Sequence, residues 1–520
     1  MIPLLKQLEE ENKELLVVGV HSAKFPNEKS KKNINYAIRR HSLKHPVVCD
    51  NELDLWTSFE INCWPTFLIM NPHGQIIAEF KGEIHANLVN KFVKHCFKYY
   101  KNDLVSGPFE FLNIKTRDEI EENENKNTEL FFPTKLCLHS NILFISDSGN
   151  NRILGVDCQT TDLLYSIGGQ SGYLDGTFEN SKFNWPQGLA YDSDEKHLYV
   201  ADTDNNLIRT VDFKKKVVST LCGKYNNKSE NIGNYDYIGG KVGNEQTLSS
   251  PWDLCVYKRD DNKKFLIIAC AGTHQIWLYT FKNDSETNIS WWKNVSFPVD
   301  TLICIAGNGK ERNRNNSYPL QASFAQPSGL DLDFKKEILY IADAESSTIR
   351  MLSLKDGSVK NVVGGDSSDP DNLFAFGDTD GIGNQVRLQH PMDVKCLNES
   401  ELLIADTYNN KLKIIDVKTK LCKLFVHEIL SEPNGLCVDK ENEKIFIADT
   451  NSHAVKVINL KSLEASKFEI KFPVEESTIK TNNNELNDEE LVIKLDSSVH
   501  VNQDAPNSWS LELFLTDSKG

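Results

Sequence analysis

A multidomain, mainly β chain is what this sequence predicts. It divides into an α/β unit at residues 1–104, a linker at 105–130, a six-bladed β-propeller at 131–465 and a partial C-terminal β-strand segment at 466–520. Three observations predict it. One turn-bearing segment recurs six times through the middle of the chain, a second marker precedes every copy at a near-constant distance, and the apolar period changes on entering this stretch.

The recurring segment is clearest at 198–209 (LYVADTDNNLIR), 339–350 (LYIADAESSTIR), 402–413 (LLIADTYNNKLK) and 445–456 (IFIADTNSHAVK), with weaker copies at 143–154 (LFISDSGNNRIL) and 266–277 (LIIACAGTHQIW). Its anchor falls at 147, 202, 270, 343, 406 and 449. Spacings of 43 to 73 residues suit one four-stranded blade with variable loops. Pro133, Pro186, Pro251, Pro327, Pro391 and Pro433 lead the anchors by 14 to 19 residues, so the two markers keep step.

Each apolar run before the anchor reads as a strand, and the Asp-Thr-x-Asn-Asn stretch as a turn whose short side chains accept bonds from unpaired amides. Asp147, Asp202, Asp343, Asp406 and Asp449 are therefore expected to be turn caps rather than catalytic or calcium-binding groups. The basic residues seven places on, Arg209, Arg350, Lys413 and Lys456, are expected to project beside the turns as solvated or surface-paired charges, each pair contributing about 0–1 kcal/mol.

The third copy breaks the rule, with Cys270 in place of Asp and 272–277 (GTHQIW) in place of the polar turn. Departures of this kind are where function concentrates. They mark a candidate protein-contact face of Trp252, Asp253, His274, Gln275 and Trp277, the alternative being that both tryptophans only fill gaps between blades. Two long connections, 307–326 with Arg314 and Asn315 and 364–383 with Phe374 and Phe376, extend that face.

The N-terminal unit alternates strand and helix. A helix is expected at 5–13, a buried parallel strand at 15–21, a helix at 33–43, a strand at 45–49, a short helix at 53–59, a hairpin over 64–80 and a last helix at 84–99. The C-terminal segment offers strands at 468–472, 491–495 and 508–513.

Composition narrows the function. A net charge of -16 disfavours nucleic acid as a partner, and no run approaches a membrane span. No signal peptide is expected from residues 1–21. The twelve cysteines are never closer than fourteen positions, which excludes Cys-x-x-Cys within this chain and the common zinc-finger spacings. They read as small core hydrophobes in a reducing cytosol. No cofactor and no metal site is expected, and no catalytic constellation stands out.

The six copies resemble the NHL repeat family, whose fold is a six-bladed propeller. Trp64-Pro65-Thr66 opening a hairpin resembles the thioredoxin family, which implies that Pro65 is cis and that a cysteine pair sits at the start of the first long helix. This chain opens on that helix, so the unit is read as thioredoxin-like but lacking its first strand and cysteine pair. Cys63 is at most a lone redox-sensitive thiol. Residues 20–28, 63–66, 271–277, 324–330 and 372–378 are together similar to the NHL repeat-containing protein 2 family, which joins such domains and is cytosolic. The leading expectation is a cytosolic protein-interaction scaffold that binds proteins or peptides. The alternatives are a thiol-disulfide oxidoreductase whose cysteine pair lies in missing upstream sequence and, more weakly, an RNA-binding protein.

Overall fold

The computed structural model describes residues 2–104 and 130–472, apart from 13, 42, 83–85, 226–234, 260, 262, 282–287, 292–294 and 427–429, together with two short strands at Thr478–Ile479 and Leu491–Val492. Residues 105–129 of the expected linker and the expected strand at 508–513 lie outside the described residues.

The N-terminal unit runs α1 (Ile2–Glu11), β1 (Gly19–His21), α2 (Lys31–Arg40), β2 (Val47–Cys49), α3 (Asp54–Ser58), β3 (Thr66–Met70), β4 (Ile76–Lys81) and α4 (Ala86–Tyr99). β1 pairs β2 in parallel and β3 pairs β4 antiparallel, as two separate two-stranded sheets. Leu4 and Leu8 of α1 meet Val89 and Val93 of α4, with Phe67, Ile69 and Phe80 packed against them. The run at 15–21 is not the buried strand expected: only its end pairs, and Leu16, Val18 and Val20 are 44–48% exposed. The Trp64–Pro65 peptide bond is cis.

Six antiparallel sheets form the propeller, each with its four blade strands side by side in chain order, and in three of them a short strand from the preceding connection (Gly176–Thr177, Gly239–Val242 or Gly381–Ile382) pairs on the outer edge. Blade 2 is typical: Pro186–Asp192, His197–Asp202, Leu207–Asp212 and Val217–Cys222 run from the axis outward. Alternation along the strands sends one face of a blade to the preceding blade and the other to the next, so Leu198 and Val200 pack with Phe144 and Ile153 of blade 1 while Tyr199 and Ala201 turn towards blade 3. Apolar residues from neighbouring blades fill the gaps, as where Ala190, Tyr199 and Ala201 meet Leu254, Ile268 and Trp277. A fully buried isoleucine such as Ile268 contributes about 1.5–3 kcal/mol, and an alanine methyl less.

Residues 468–472, expected as the first strand of the C-terminal segment, lie against the propeller. Lys471 N–H donates to Thr161 O (2.9 Å) and Leu163 N–H to Lys471 O (3.3 Å), so the segment lies on the outer edge of blade 1. Phe468, Ile470 and Phe472 pack into the core between blades 6 and 1. The chain therefore laces its last blade to its first.

Candidate functional site

The two sequence markers turn out to be parts of one joint. The carboxylates of Asp147, Asp202, Asp343, Asp406 and Asp449 accept from the backbone N–H of Phe131, Asn184, Ala325, Gln389 and Ser431, at 2.6–2.7 Å. Each donor lies two residues before the proline of the same blade. The aspartates thus fasten the incoming loop; Asp147, Asp202, Asp406 and Asp449 stand at the N-cap positions of the turns that follow, without a side-chain bond to those turns' own backbone amides.

The next residue reaches the neighbouring blade. Ser148 donates to Pro186 O, Thr203 to Pro251 O, Thr407 to Pro433 O and Thr450 to Pro133 O, at 2.5–2.7 Å. Four residues after each anchor the backbone is left-handed, which Asn tolerates best among non-glycines. There Asn151, Asn206 and Asn410 accept from Trp185, Ser250 and Glu432 N–H, each just before the next blade's proline (2.7–2.9 Å). His274, Ser347 and His453 fill the same post in the other three joints, accepting from Gln326, His390 and Phe132 N–H. Burial holds the His274 imidazole down to about 4.

The basic residues are not surface charges. Arg209 and Asp202 are both wholly buried and 2.8 Å apart, Arg350 and Asp343 likewise at 3.3 Å, and Lys413 lies 3.6 Å from Asp406. Arg209 also donates to Lys182 O and Leu174 O and pairs with Asp175. Burial, opposed by these cations, raises the carboxyls of Asp202, Asp343 and Asp406 to about 6. A surface-pair figure does not apply to them, since removing one partner leaves an uncompensated buried charge.

Most of the expected contact face in blade 3 is interior. Trp277 is 1% exposed and sits in the core between blades 2 and 3. Its Nε1 donates to Gln275 Oε1 (3.2 Å), and Gln275 Nε2 donates to Tyr237 O and Gly307 O. His274 is a joint residue, and Trp252 is half-buried. Arg314 and Asn315 stay exposed, although Asn315 Oδ1 receives Arg350.

Asp253 belongs to a feature that sequence reading missed. Two residues after the marker proline, the six inner strands present Lys135, Gly188, Asp253, Gly329, Asp393 and Gly435 to the axis, so that charge and glycine alternate. The Lys135 ammonium lies 3.6 Å from Asp253 and 3.4 Å from Asp393 and donates to Met392 O. The carboxylates also accept from Leu330 and Leu436 N–H. A Cβ on Gly435 would stand 2.0 Å from Thr134 O, so glycine lets the strands close round the charges. The result is a buried ionic plug across the channel. Aligning the proline column two places on would have revealed it.

The N-terminal unit docks on the turn face of the propeller. Phe25, 1% exposed, inserts among Phe376, His390 and Tyr408 with ring centroids at 4.6–5.5 Å. Lys24 pairs with Glu345, and Arg40 with Glu432 (2.9 Å). At the rim of this contact Phe374 is 60% and Trp64 44% exposed, their rings 6.4 Å apart, with the Trp56 ring tilted against Trp64 at 4.4 Å. Cys63, half-buried, has Sγ 3.7 Å from Thr66 Oγ1.

Comparison with known proteins agrees with the joints. A model of the NHL repeat matches residues 183–210 and 430–458. The chain is 41% identical over 480 residues to NHL repeat-containing protein 2 of Bos taurus and 40% identical over 482 residues to that of Homo sapiens, in both cases across 88% of this chain and 63% of the relative. It is 40% identical over 490 residues to Protein SUPPRESSOR OF QUENCHING 1, chloroplastic, of Arabidopsis thaliana, across 90% of this chain and 43% of that one. The chain thus spans less than two thirds of the length of these relatives. With NHL repeats matched at two of its blades and such identity over most of its length, it belongs to the NHL repeat-containing protein 2 family.

Proposed function

We propose that this chain is a protein-interaction scaffold whose contact surface is the seam between the N-terminal unit and the 364–383 connection. One observation carries the reading: two large aromatics, Phe374 and Trp64, remain exposed side by side at the rim of the contact between the N-terminal unit and the turn face. Paired exposed aromatics rimmed by polar groups are the usual anchors of protein and peptide contacts. Exposed Arg314 and Asn315 add polar reach on the neighbouring connection.

The propeller supplies rigidity and the N-terminal unit, which we read as thioredoxin-like without a cysteine pair in this chain, completes the surface. Twelve unpaired cysteines suit a reducing compartment, in keeping with the cytosol. A charge of -16 weighs against RNA.

A photo-crosslinking residue at position 374 tests this in lysate containing dithiothreitol. Adducts are expected there, lost on Trp64→Ser, and not seen from position 334, where Phe334 is equally exposed on the opposite face. Identical adducts from 334 and 374, or adducts that vanish on reduction, would sink the reading.

A further inference from the structure

The joint between blade 6 and blade 1 closes the ring, and it is built differently from its neighbours. Its left-handed residue is His453, whose Nδ1 accepts from Phe132 N–H at 3.1 Å, which fixes the neutral tautomer with the proton on Nε2. That Nε2 is buried and has no partner among the described residues. The ring stacks on Phe131 at 5.1 Å and meets Phe132 edge-on at 4.4 Å.

Helix α2 lies across this joint and holds both sides. On blade 6, Arg40 donates to Glu432 (2.9 Å) and to Asn451 Oδ1 (2.5 Å), and the Tyr36 ring sits 5.9 Å from His453. On blade 1, the Arg40 guanidinium lies 5.3 Å over Phe132, Arg39 lies 5.5 Å over Phe131, and Tyr36 edges on Phe132 at 6.2 Å.

We propose that α2 is a clasp holding the propeller shut across the seam between blades 6 and 1, and that protonation of His453 releases clasp and seam together. A proton on Nδ1 would face the Phe132 N–H, donor against donor, and would place a new cation under two guanidinium groups. The charges facing the imidazole are Arg39 and Arg40 from α2, with Lys32 over the far side of Tyr36. Glu432, the carboxylate at the seam, is already engaged by Arg40 and Asn27.

Burial first, then Arg39 and Arg40, hold His453 down to about 4 in the closed form, against an ordinary 6.5 once exposed. A depressed histidine stabilises the closed state fully above its open-state value, and that stability is lost as pH falls from 6.5 through 4.

Hydrogen exchange on the whole chain, corrected for intrinsic rates, tests the clasp. Between pH 7 and pH 4 the opening equilibrium over residues 130–139 and 445–459 should rise about a hundredfold, with α2 opening in parallel. His453→Asn, which installs the joint residue of Asn151, Asn206 and Asn410 without a titrating ring, should flatten that rise. His274→Asn, the same change in a joint that α2 does not cover, should leave it intact. An unchanged rise in H453N, a flattened rise in H274N, or a seam that opens while α2 stays protected would each overturn the proposal. If H453N does not fold, Arg40→Gln at pH 7 decides: loosening of α2 together with the seam supports the clasp, and loosening of α2 alone refutes it.

Discussion

At position 202 blade 2 buries an aspartate against Arg209, whereas at the equivalent position 270 blade 3 buries a cysteine against Trp277. Arg209 faces Val200 and Trp277 faces Ile268 across matching hairpins, so the two side chains occupy the same place in their blades. Blade 2 satisfies its guanidinium with Asp202, Asp175 and two carbonyls. Blade 3 removes both charges at once and hands the remaining polar work to Gln275, which takes the indole N–H and ties off two carbonyls. Exchanging a buried ion pair for an apolar pair is often neutral, while breaking it on one side is not. A blade can therefore leave the repeat without acquiring a new activity, provided the partners change together.

Breaking one side of each pair should show the difference. Arg209→Met strands Asp202 without a counter-charge and should cost about 3–5 kcal/mol at pH 7, read from chemical denaturation. Trp277→Ala, on the apolar side, should cost a similar 3–5 kcal/mol by leaving a cavity, but with no dependence on pH between 5 and 8. Thr203→Ala removes one bond between blades and should cost about 1 kcal/mol. Blade 3 already carries Ala271 at that post, so the ring tolerates the loss. His274→Asn should change stability at pH 7 by less than about 0.5 kcal/mol. Its effect should appear in acid: the native histidine, held down to about 4, withdraws stability as pH falls below 6.5, and the variant should lose less over that range.

The blade count, the inner-strand prolines and the anchor aspartates could be read from the sequence because they depend on local chemistry repeated in register. What the markers do could not be read, because each joint spans two blades: Thr203 meets Pro251 and Asn206 meets Ser250, more than forty residues away. Arg209 was misjudged because the groups that satisfy it, Asp175, Leu174 O and Lys182 O, come from a connection with no repeat signature. Cys270 and Trp277 suggested function because a compensated pair, seen one residue at a time, resembles a broken rule. The ionic plug is spread over Lys135, Asp253 and Asp393 on every second blade, with Lys395 also 3.0 Å from Asp393, and only the closed ring brings these charges together.

Chemical denaturation of R209M beside Asp202→Asn/Arg209→Met most directly tests the claim that the blades are held by compensated buried pairs. Asparagine keeps an oxygen for the Asn184 N–H while removing the charge. The double variant should recover at least about 2 kcal/mol of what R209M loses, the signature of coupling between contacting groups. A double variant as unstable as R209M, or more so, would contradict the account.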